Sequence, residues 1–483
     1  MEEGTRRREA GIFILAASFE AILLASLAFR HSINPDEGFY LAGGARLLQG
    51  EHIYRDFFFP QMPYLPYVQS WLMALGGPSI LLGRLVSIVP AGLTVGLLAA
   101  AVWRWTRALP VVAAVVTAYA THVLFWNYLT VIKTYGLANL WLVWAFLVIA
   151  SRTTGVRAFT SGICCGLAIG TRLPAVAVVA VLGLYLIWRA PRRLPGFFAG
   201  IILALLPCLW IASRDLDAFW FGNFGFHTLR KEIQGLIPIL SQKGLILLRW
   251  MLLPQNFVLW VLAALGAAIG GERSRLALIC AGALAVIYLT ATPTYLEYTA
   301  QMVPFLLIAS VPALQEMMSR RRWWIAATAV YAVGLIVALR PAASGSYRGQ
   351  KLVLWQMDTV DRVSEILHRE AAPDDMVLSW WEGYPVLARR PGITGVGFWE
   401  SNVAKKLPPE ARQRYHVLGR GEIRALVQAR RPRLVVSPEG VWEDLSQDLD
   451  SGYKLIETIG KIRIYRRASG AEMPIASQPE GGA

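Results

Sequence analysis

Apolar residues run in long blocks through the first 340 positions of this chain. Eleven blocks are candidate membrane spans: Gly11–Phe29, Ser79–Val102, Pro110–Trp126, Thr134–Ala150, Ala158–Gly170, Leu173–Trp188, Pro195–Ile211, Leu245–Gly266, Leu276–Tyr288, Tyr298–Leu314 and Trp323–Leu339. A helix crosses about 30 Å of hydrocarbon with roughly 20 residues, so the shorter blocks require tilting or burial by neighbours. The first block ends in a tolerable signal-peptidase site before Phe29, but it is long for a cleaved leader and reads as an uncleaved span. Its Glu20 requires a partner or a wet cavity. The segment Met62–Gly77 is also apolar; it reads as a re-entrant or interfacial helix, because a full crossing would invert every later loop.

After Arg340 the pattern changes. Ser364–Arg390 predicts helix, turn, strand and helix; Arg431–Gly440 predicts a strand closed by a turn; Tyr453–Arg467 predicts a strand pair. The fold class that follows is an all-α polytopic membrane bundle of about eleven spans (1–340) with a small C-terminal α/β domain (341–467) and a disordered Gly/Pro/Ala-rich tail (468–483).

Loop charges orient the bundle. With Arg6–Arg8 in the cytoplasm, the basic residues at 104/107, 152/157, 189/192/193, 273/275 and 320–322 all fall on the cytoplasmic side, as the positive-inside rule requires. Residues 30–78, 127–133, 171–172, 213–244 and 291–297, with everything after Arg340, then share the opposite face. The composition agrees: 55% of the 483 residues are hydrophobic and only 16% charged. The net charge of +15 collects at the ends of apolar runs, which favours lipid headgroups over nucleic acid as its counterpart. Cys164, Cys165, Cys208 and Cys280 lie within apolar blocks without metal-ligand spacing and read as small core residues.

The external segments carry the candidate chemistry. In "NPDEGF", Asn34 is a good N-cap, Pro35 suits the first helical position and Glu37 stands three residues after the cap, predicting a helix to Leu48 ended by Gly50. Capping alone accounts for both acids; alternatively Asp36 and Glu37 do chemistry. Lys133 lies at the outer end of a span, where it either snorkels or contacts phosphate. Arg172 sits between two short apolar runs with no acid near it in sequence; it either marks a turn or pairs with a distant acid, or it meets a phosphate, a natural partner for its fork. The aromatic loop 213–236 adds His227 and Arg230, and the mouth of a later span adds Tyr295, Glu297 and Tyr298.

These segments resemble C-type glycosyltransferases, the superfamily of protein-O-mannosyltransferases and aminoarabinose transferases (family 39 and its relatives). The acidic pair after the first span, Tyr54–Asp56, the proline-aromatic run Pro63–Tyr67, "GLAIGTRLPAV", "FGFHTLR" and "YLEYTAQMVPFLL" carry the resemblance in order along residues 6–340. Met62 stands where some relatives carry Lys, and Lys133 where some carry an acid. The resemblance implies inverting transfer of a sugar from a polyprenyl-phosphate donor to an extracytoplasmic lipid, glycan or protein acceptor, in the plasma or inner membrane. It implies Asp36 as base, Glu37 orienting it or binding a metal, Asp56 in support, and Lys133, Arg172, His227, Arg230, Tyr295 and Tyr298 around the substrate and its phosphate. A divalent cation is compatible with this set, although no ligand set demands one. A lipid-linked-sugar flippase or other transporter is the competing reading, and a non-catalytic anchor for the outer domain is a third.

Overall fold

The computed structural model describes residues 2–468 except 152–153, 231–234, 292, 321–324, 326–327, 330, 334, 337–352 and 398–401. The predicted span Trp323–Leu339 and the tail beyond Ala468 lie largely or wholly outside the described residues. The helices that build the site are α1 (Glu2–Ala28), α2 (Glu37–Leu48), α3 (Tyr64–Gly76), α4 (Ile80–Thr106), α5 (Leu109–Ala120), α6 (Val123–Tyr128), α7 (Tyr135–Ser151) and α8 (Gly155–Thr171). They are followed by α9 (Val176–Arg189), α10 (Leu194–Arg214), α11 (Leu236–Leu252), α12 (Pro254–Ile269), α13 (Glu272–Thr290), α14 (Val303–Ser319) and α15 (Met357–Glu370).

Among the described residues, four helices are long and apolar enough to cross a membrane, or five if the bent pair α11–α12 forms one span. Four further predicted spans map onto shorter apolar helices, α5, α7, α9 and α14. Two expectations need correction. Pro110–Trp126 is not continuous: α5 stops at Ala120 and α6 starts at Val123, with His122 extended at the break. Leu245–Gly266 is likewise two helices, bent by 81°. The residue before a proline is pushed out of the helical region, and Leu253, before Pro254, is extended at φ −71°, ψ 109°. The preceding helix already starts at Leu236, inside the segment expected to be loop. In the segment expected as a re-entrant or interfacial helix, α3 is 13 residues long and packs against α2.

Small residues set how closely the helices approach. A Cβ on Gly162 of α8 would lie 2.0 Å from the Phe197 carbonyl oxygen of α10, so only glycine permits that contact. One end of the bundle gathers basic residues. Arg189 pairs with Glu272 at 2.8 Å, Arg104 pairs with Glu9, and Arg273 stacks on Trp105 at 4.6 Å. The other end carries α2, α3 and the C-terminal unit.

That unit holds a four-stranded sheet of β1 (Val377–Ser379), β2 (Leu434–Pro438), β3 (Tyr453–Ile459) and β4 (Ile462–Arg467), in the order β1-β2-β4-β3. β1 and β2 are parallel; β4 is antiparallel to β2 and β3. Every residue of β2 is buried, as a central strand requires. The unit docks on the segment after α1. The Trp381 indole N–H donates to the Pro35 carbonyl at 2.8 Å, and Ile33 N–H donates to the Trp355 carbonyl at 2.8 Å. Tyr415 stacks on Phe221 with ring centroids 3.9 Å apart, and Arg414 pairs with Asp215 at 2.8 Å.

This docking generates a test. A Cβ on Gly38 would meet Trp381 Nε1 at 2.4 Å and the Gly383 backbone nitrogen at 2.9 Å. Gly38→Val is therefore expected to destabilise the protein by about 1–3 kcal/mol through overpacking. It should also speed proteolysis of the C-terminal unit; thermal unfolding in detergent with limited proteolysis measures both.

Candidate functional site

The start of α2 divides its polar groups between capping and the cavity beyond. Asn34 Oδ1 accepts from Asp36 N–H at 3.1 Å, and Glu37 Oε2 accepts from Asn34 N–H at 2.8 Å. The helix begins at Glu37 rather than Pro35, with Asp36 at the N-cap (φ −69°, ψ −17°). The Asp36 side chain makes no cap hydrogen bond. Capping thus falls to Asn34 and Glu37 and leaves the Asp36 carboxylate for another partner.

Glu37 is wholly buried, and both of its oxygens are engaged. Arg84 of α4, also wholly buried, donates Nε to Oε1 and a terminal nitrogen to Oε2, each at 2.9 Å. The same guanidinium donates to the carbonyls of Ala28, His31 and Ser32, capping the end of α1. Glu37 Oε1 further accepts from Ile132 N–H at 3.0 Å. Ser87 Oγ donates to the Val131 carbonyl at 2.7 Å and accepts from Lys133 N–H at 3.2 Å. One buried ion pair and one hydroxyl therefore fix α1, α2, α4 and the 131–133 segment together.

That segment aims Lys133 at Asp36. Nζ lies 2.6 Å from Asp36 Oδ2 and 3.2 Å from Glu297 Oε1. Enclosure in the cavity wall opposes ionisation of Asp36, but the Lys133 ammonium outweighs it, with help from Arg230 and Arg172, and holds the carboxyl below its ordinary range. Burial of Lys133 is likewise outweighed by Asp36 and Glu297, which raise it. The pair is ionised at neutral pH. Tyr135 O–H donates to Glu297 Oε1 at 3.0 Å. Arg172 donates to Tyr288 Oη and Thr134 Oγ1, each at 2.9 Å, and to Tyr135 Oη at 3.3 Å. Its guanidinium lies over the rings of Tyr135, Tyr298 and Tyr288 at 4.3, 5.4 and 5.6 Å, an aromatic cage. Among the described residues no carboxylate pairs with it, so its charge is not neutralised. Arg230 donates to Tyr295 Oη at 3.1 Å. His227 Nε2 lies 2.8 Å from the Pro60 carbonyl; that oxygen can only accept, so Nε2 carries the proton.

These groups line one cavity of about 610 Å³. Of the residues expected from sequence, it brings together Asp36, Lys133, Arg172, His227, Arg230, Tyr295 and Tyr298. Glu37 is not on its wall. Nor is Asp56, which closes a surface turn: it accepts from His52 N–H at 2.8 Å, and the Arg55 guanidinium beside it holds its carboxyl down at about 2. Sequence reasoning gave little weight to Glu297 and passed over Tyr40, Gln61, Tyr135 and Tyr288, all on the wall. It also missed Arg84, although a lone charge inside an apolar run was a signal for a buried partner. Among the described residues no three His, Cys, Asp or Glu side chains converge as metal ligands. Asp36 and Glu297 share the Lys133 ammonium, which stands where a divalent ion between them would lie.

The Glu37–Arg84 pair yields a stability prediction. Glu37→Gln should cost about 3–5 kcal/mol by leaving a buried charge unpaired. The double change Glu37→Met with Arg84→Met should recover part of that loss, and thermal unfolding of the three variants against the parent measures the coupling.

No described protein family matches the chain, and no curated protein is recognisably similar in sequence. Solved structures are similar. The chain matches ArnT from Cupriavidus metallidurans in the apo state with a TM-score of 0.71 at 14% identity, over 94% of this chain and 97% of that one. It matches the same protein bound to undecaprenyl phosphate with a TM-score of 0.67 at 15% identity, over 96% of this chain and all of that one. At such identity the likeness is one of fold: the chain has the polytopic fold of that ArnT.

Proposed function

We propose that the chain is a membrane glycosyltransferase that moves a sugar from a polyprenyl-phosphate donor to an acceptor on the extracytoplasmic side. The observation that carries this reading is the Asp36 carboxylate, spared from capping and facing a cavity that also holds Lys133, Arg172 and Arg230. The similar structure bound to undecaprenyl phosphate supports a polyprenyl donor. So does the charge of the cavity. Among the described residues of its wall, Asp36 and Glu297 supply two negative charges and Lys133, Arg172 and Arg230 three positive ones, a balance of one positive charge. A sugar joined to a polyprenol through a single phosphate is a diester of charge −1 and would neutralise it. The wall also carries Leu173, Pro174, Phe224 and Ile287, apolar surface suited to the first isoprene units.

In this reading Arg172 and Arg230, with Lys133, bind the phosphate and stabilise the charge it gains as the glycosidic bond breaks. The acceptor hydroxyl attacks the anomeric carbon from the opposite side, inverting its configuration, and its proton passes to Asp36. Asp36 is a weak base, since its partners depress it. A transition state in which bond breaking runs ahead of attack makes the hydroxyl acidic late, and a weak base then suffices. Lys133 keeps Asp36 ionised and oriented until the proton arrives. Asp56 would support the loop that carries the site, and Glu37 would orient Asp36 through the backbone. His227 would hold the 60–62 segment against the cavity, and Tyr295 and Tyr298 would shape the walls around the cations. The membrane is the plasma or inner membrane, with the N-terminus and the basic end of the bundle cytoplasmic and the sheet-bearing unit outside.

Membranes carrying the protein, supplied with labelled polyprenyl-phosphate sugar, test the reading. Asp36→Asn should reduce transfer about 10²- to 10⁴-fold without loss of folded protein, the range for removing a general base; undiminished transfer would remove Asp36 from the mechanism. The pH dependence has a definite sign. A depressed carboxyl is in its active, ionised form above its pKa and is lost as pH falls through it, so the acid limb of kcat/KM should lie below the ordinary 3.8 of an aspartate.

A further inference from the structure

The bundle has a second polar cavity, of about 330 Å³, at its basic end. α13 connects the two: Glu272, Arg273 and Ser274 at its start line this cavity, whereas Tyr288 and Thr290 near its end line the Asp36 cavity. Nineteen helical residues span roughly 28 Å, close to the thickness of a hydrocarbon core, so the two cavities face opposite leaflets.

Three features of the second cavity point to an anion. Arg273 is half-buried, and among the described residues it makes no ion pair or hydrogen bond; its guanidinium rests on Trp105, 4.6 Å from the ring centroid. The neighbouring charges are already matched, since Glu272 pairs with Arg189 at 2.8 Å and Arg275 donates to the carbonyls of Ala267 and Gly270. The start of α13 has Gly271 at its N-cap and no side-chain cap; the Gly271 carbonyl accepts from Ser274 N–H at 3.2 Å, and among the described residues the N–H groups of Glu272 and Arg273 have no hydrogen-bond partner. A stacked guanidinium beside the positive end of a helix favours a phosphate oxygen. Ser274, Thr106 and Tyr185 place hydroxyls on the same wall.

We propose that this cavity binds a phosphate-bearing anion, the headgroup of an anionic phospholipid, in the leaflet opposite the Asp36 site. Basic pockets between helices on the cytoplasmic side hold such headgroups in other membrane proteins. The inference is independent of the sugar-transfer reading, because no residue of the second cavity touches the first.

Native mass spectrometry of the intact protein in detergent tests it, with added phosphatidylglycerol or phosphatidylcholine as probe. The protein should retain phosphatidylglycerol at least about tenfold over phosphatidylcholine. Arg273→Gln should abolish that preference, and Thr106→Glu, which adds a negative charge to the wall while keeping Arg273, should weaken it independently. Arg192→Gln, an exposed cation at the same end, should leave it unchanged. Thermal unfolding of each variant separates loss of binding from loss of fold. Displacement of bound phosphatidylglycerol by millimolar inorganic phosphate would assign the cavity to soluble phosphate and overturn the lipid headgroup; persistence supports the lipid. Equal retention of both lipids by the parent protein, or unchanged preference in Arg273→Gln, would overturn the site.

Discussion

The buried pair between Glu37 and Arg84 organises this end of the molecule. A carboxylate and a guanidinium with no exposed surface are costly to bury, and only full hydrogen bonding offsets the loss of water. Here every strong position is used: Arg84 holds the carbonyls at the end of α1 as well as Glu37, and Glu37 holds Asn34 and Ile132 as well as Arg84. The pair therefore does more than join two helices. It sets the direction in which the chain leaves α1, the start of α2 and the path of the segment that delivers Lys133. Because Glu37 performs the capping, its neighbour Asp36 keeps a free direction into the cavity. The two adjacent acids have separate tasks because one is buried against α4 and the other is not.

Electrostatics in the cavity follow from that arrangement. Asp36 and Glu297 lie close enough to share one ammonium, and Lys133 relieves their mutual repulsion. Arg172 is treated differently. Three tyrosines surround its guanidinium, and the hydroxyls of Tyr288, Tyr135 and Thr134 accept its hydrogen bonds without cancelling its charge. The cavity wall thus keeps a guanidinium whose charge no carboxylate among the described residues cancels, and in a partly enclosed site such a charge holds a phosphate more strongly than in bulk water. The docked sheet-bearing unit closes this end over α2 through Trp381 and Trp355, which braces the helix that carries Asp36.

Much of this was legible in the sequence, for identifiable reasons. Long apolar blocks and the shift to β-rich segments after Arg340 reflect the two solvents the chain meets, so the helical bundle and the strands around Leu434 and Tyr453 could be read directly. Arg172 could be read because an isolated guanidinium between apolar runs has few stable environments. The breaks at His122 and Leu253 were less legible: hydropathy averages over them, and only the proline at 254 gave a local signal. That Asp56 lies off the cavity wall was not legible, because a Tyr-x-Asp motif does not reveal that its acid closes its own turn with His52 and Arg55. Arg84 was missed because its partner lies 47 residues away in sequence and is set by packing alone. Glu37 and Asp36 could not be separated, since both fit a helix start equally well until the position of α4 decides between them.

The central claim is that Asp36, Lys133 and Arg172 form the reaction centre around a phosphate. A structure of the protein with a polyprenyl phosphate bound tests it most directly. The account predicts the phosphate within hydrogen-bond reach of Arg172 and of Lys133 or Arg230, with Asp36 facing the position an anomeric carbon would occupy. A phosphate bound elsewhere, with the Asp36–Lys133–Glu297 group closed and unoccupied, would contradict it.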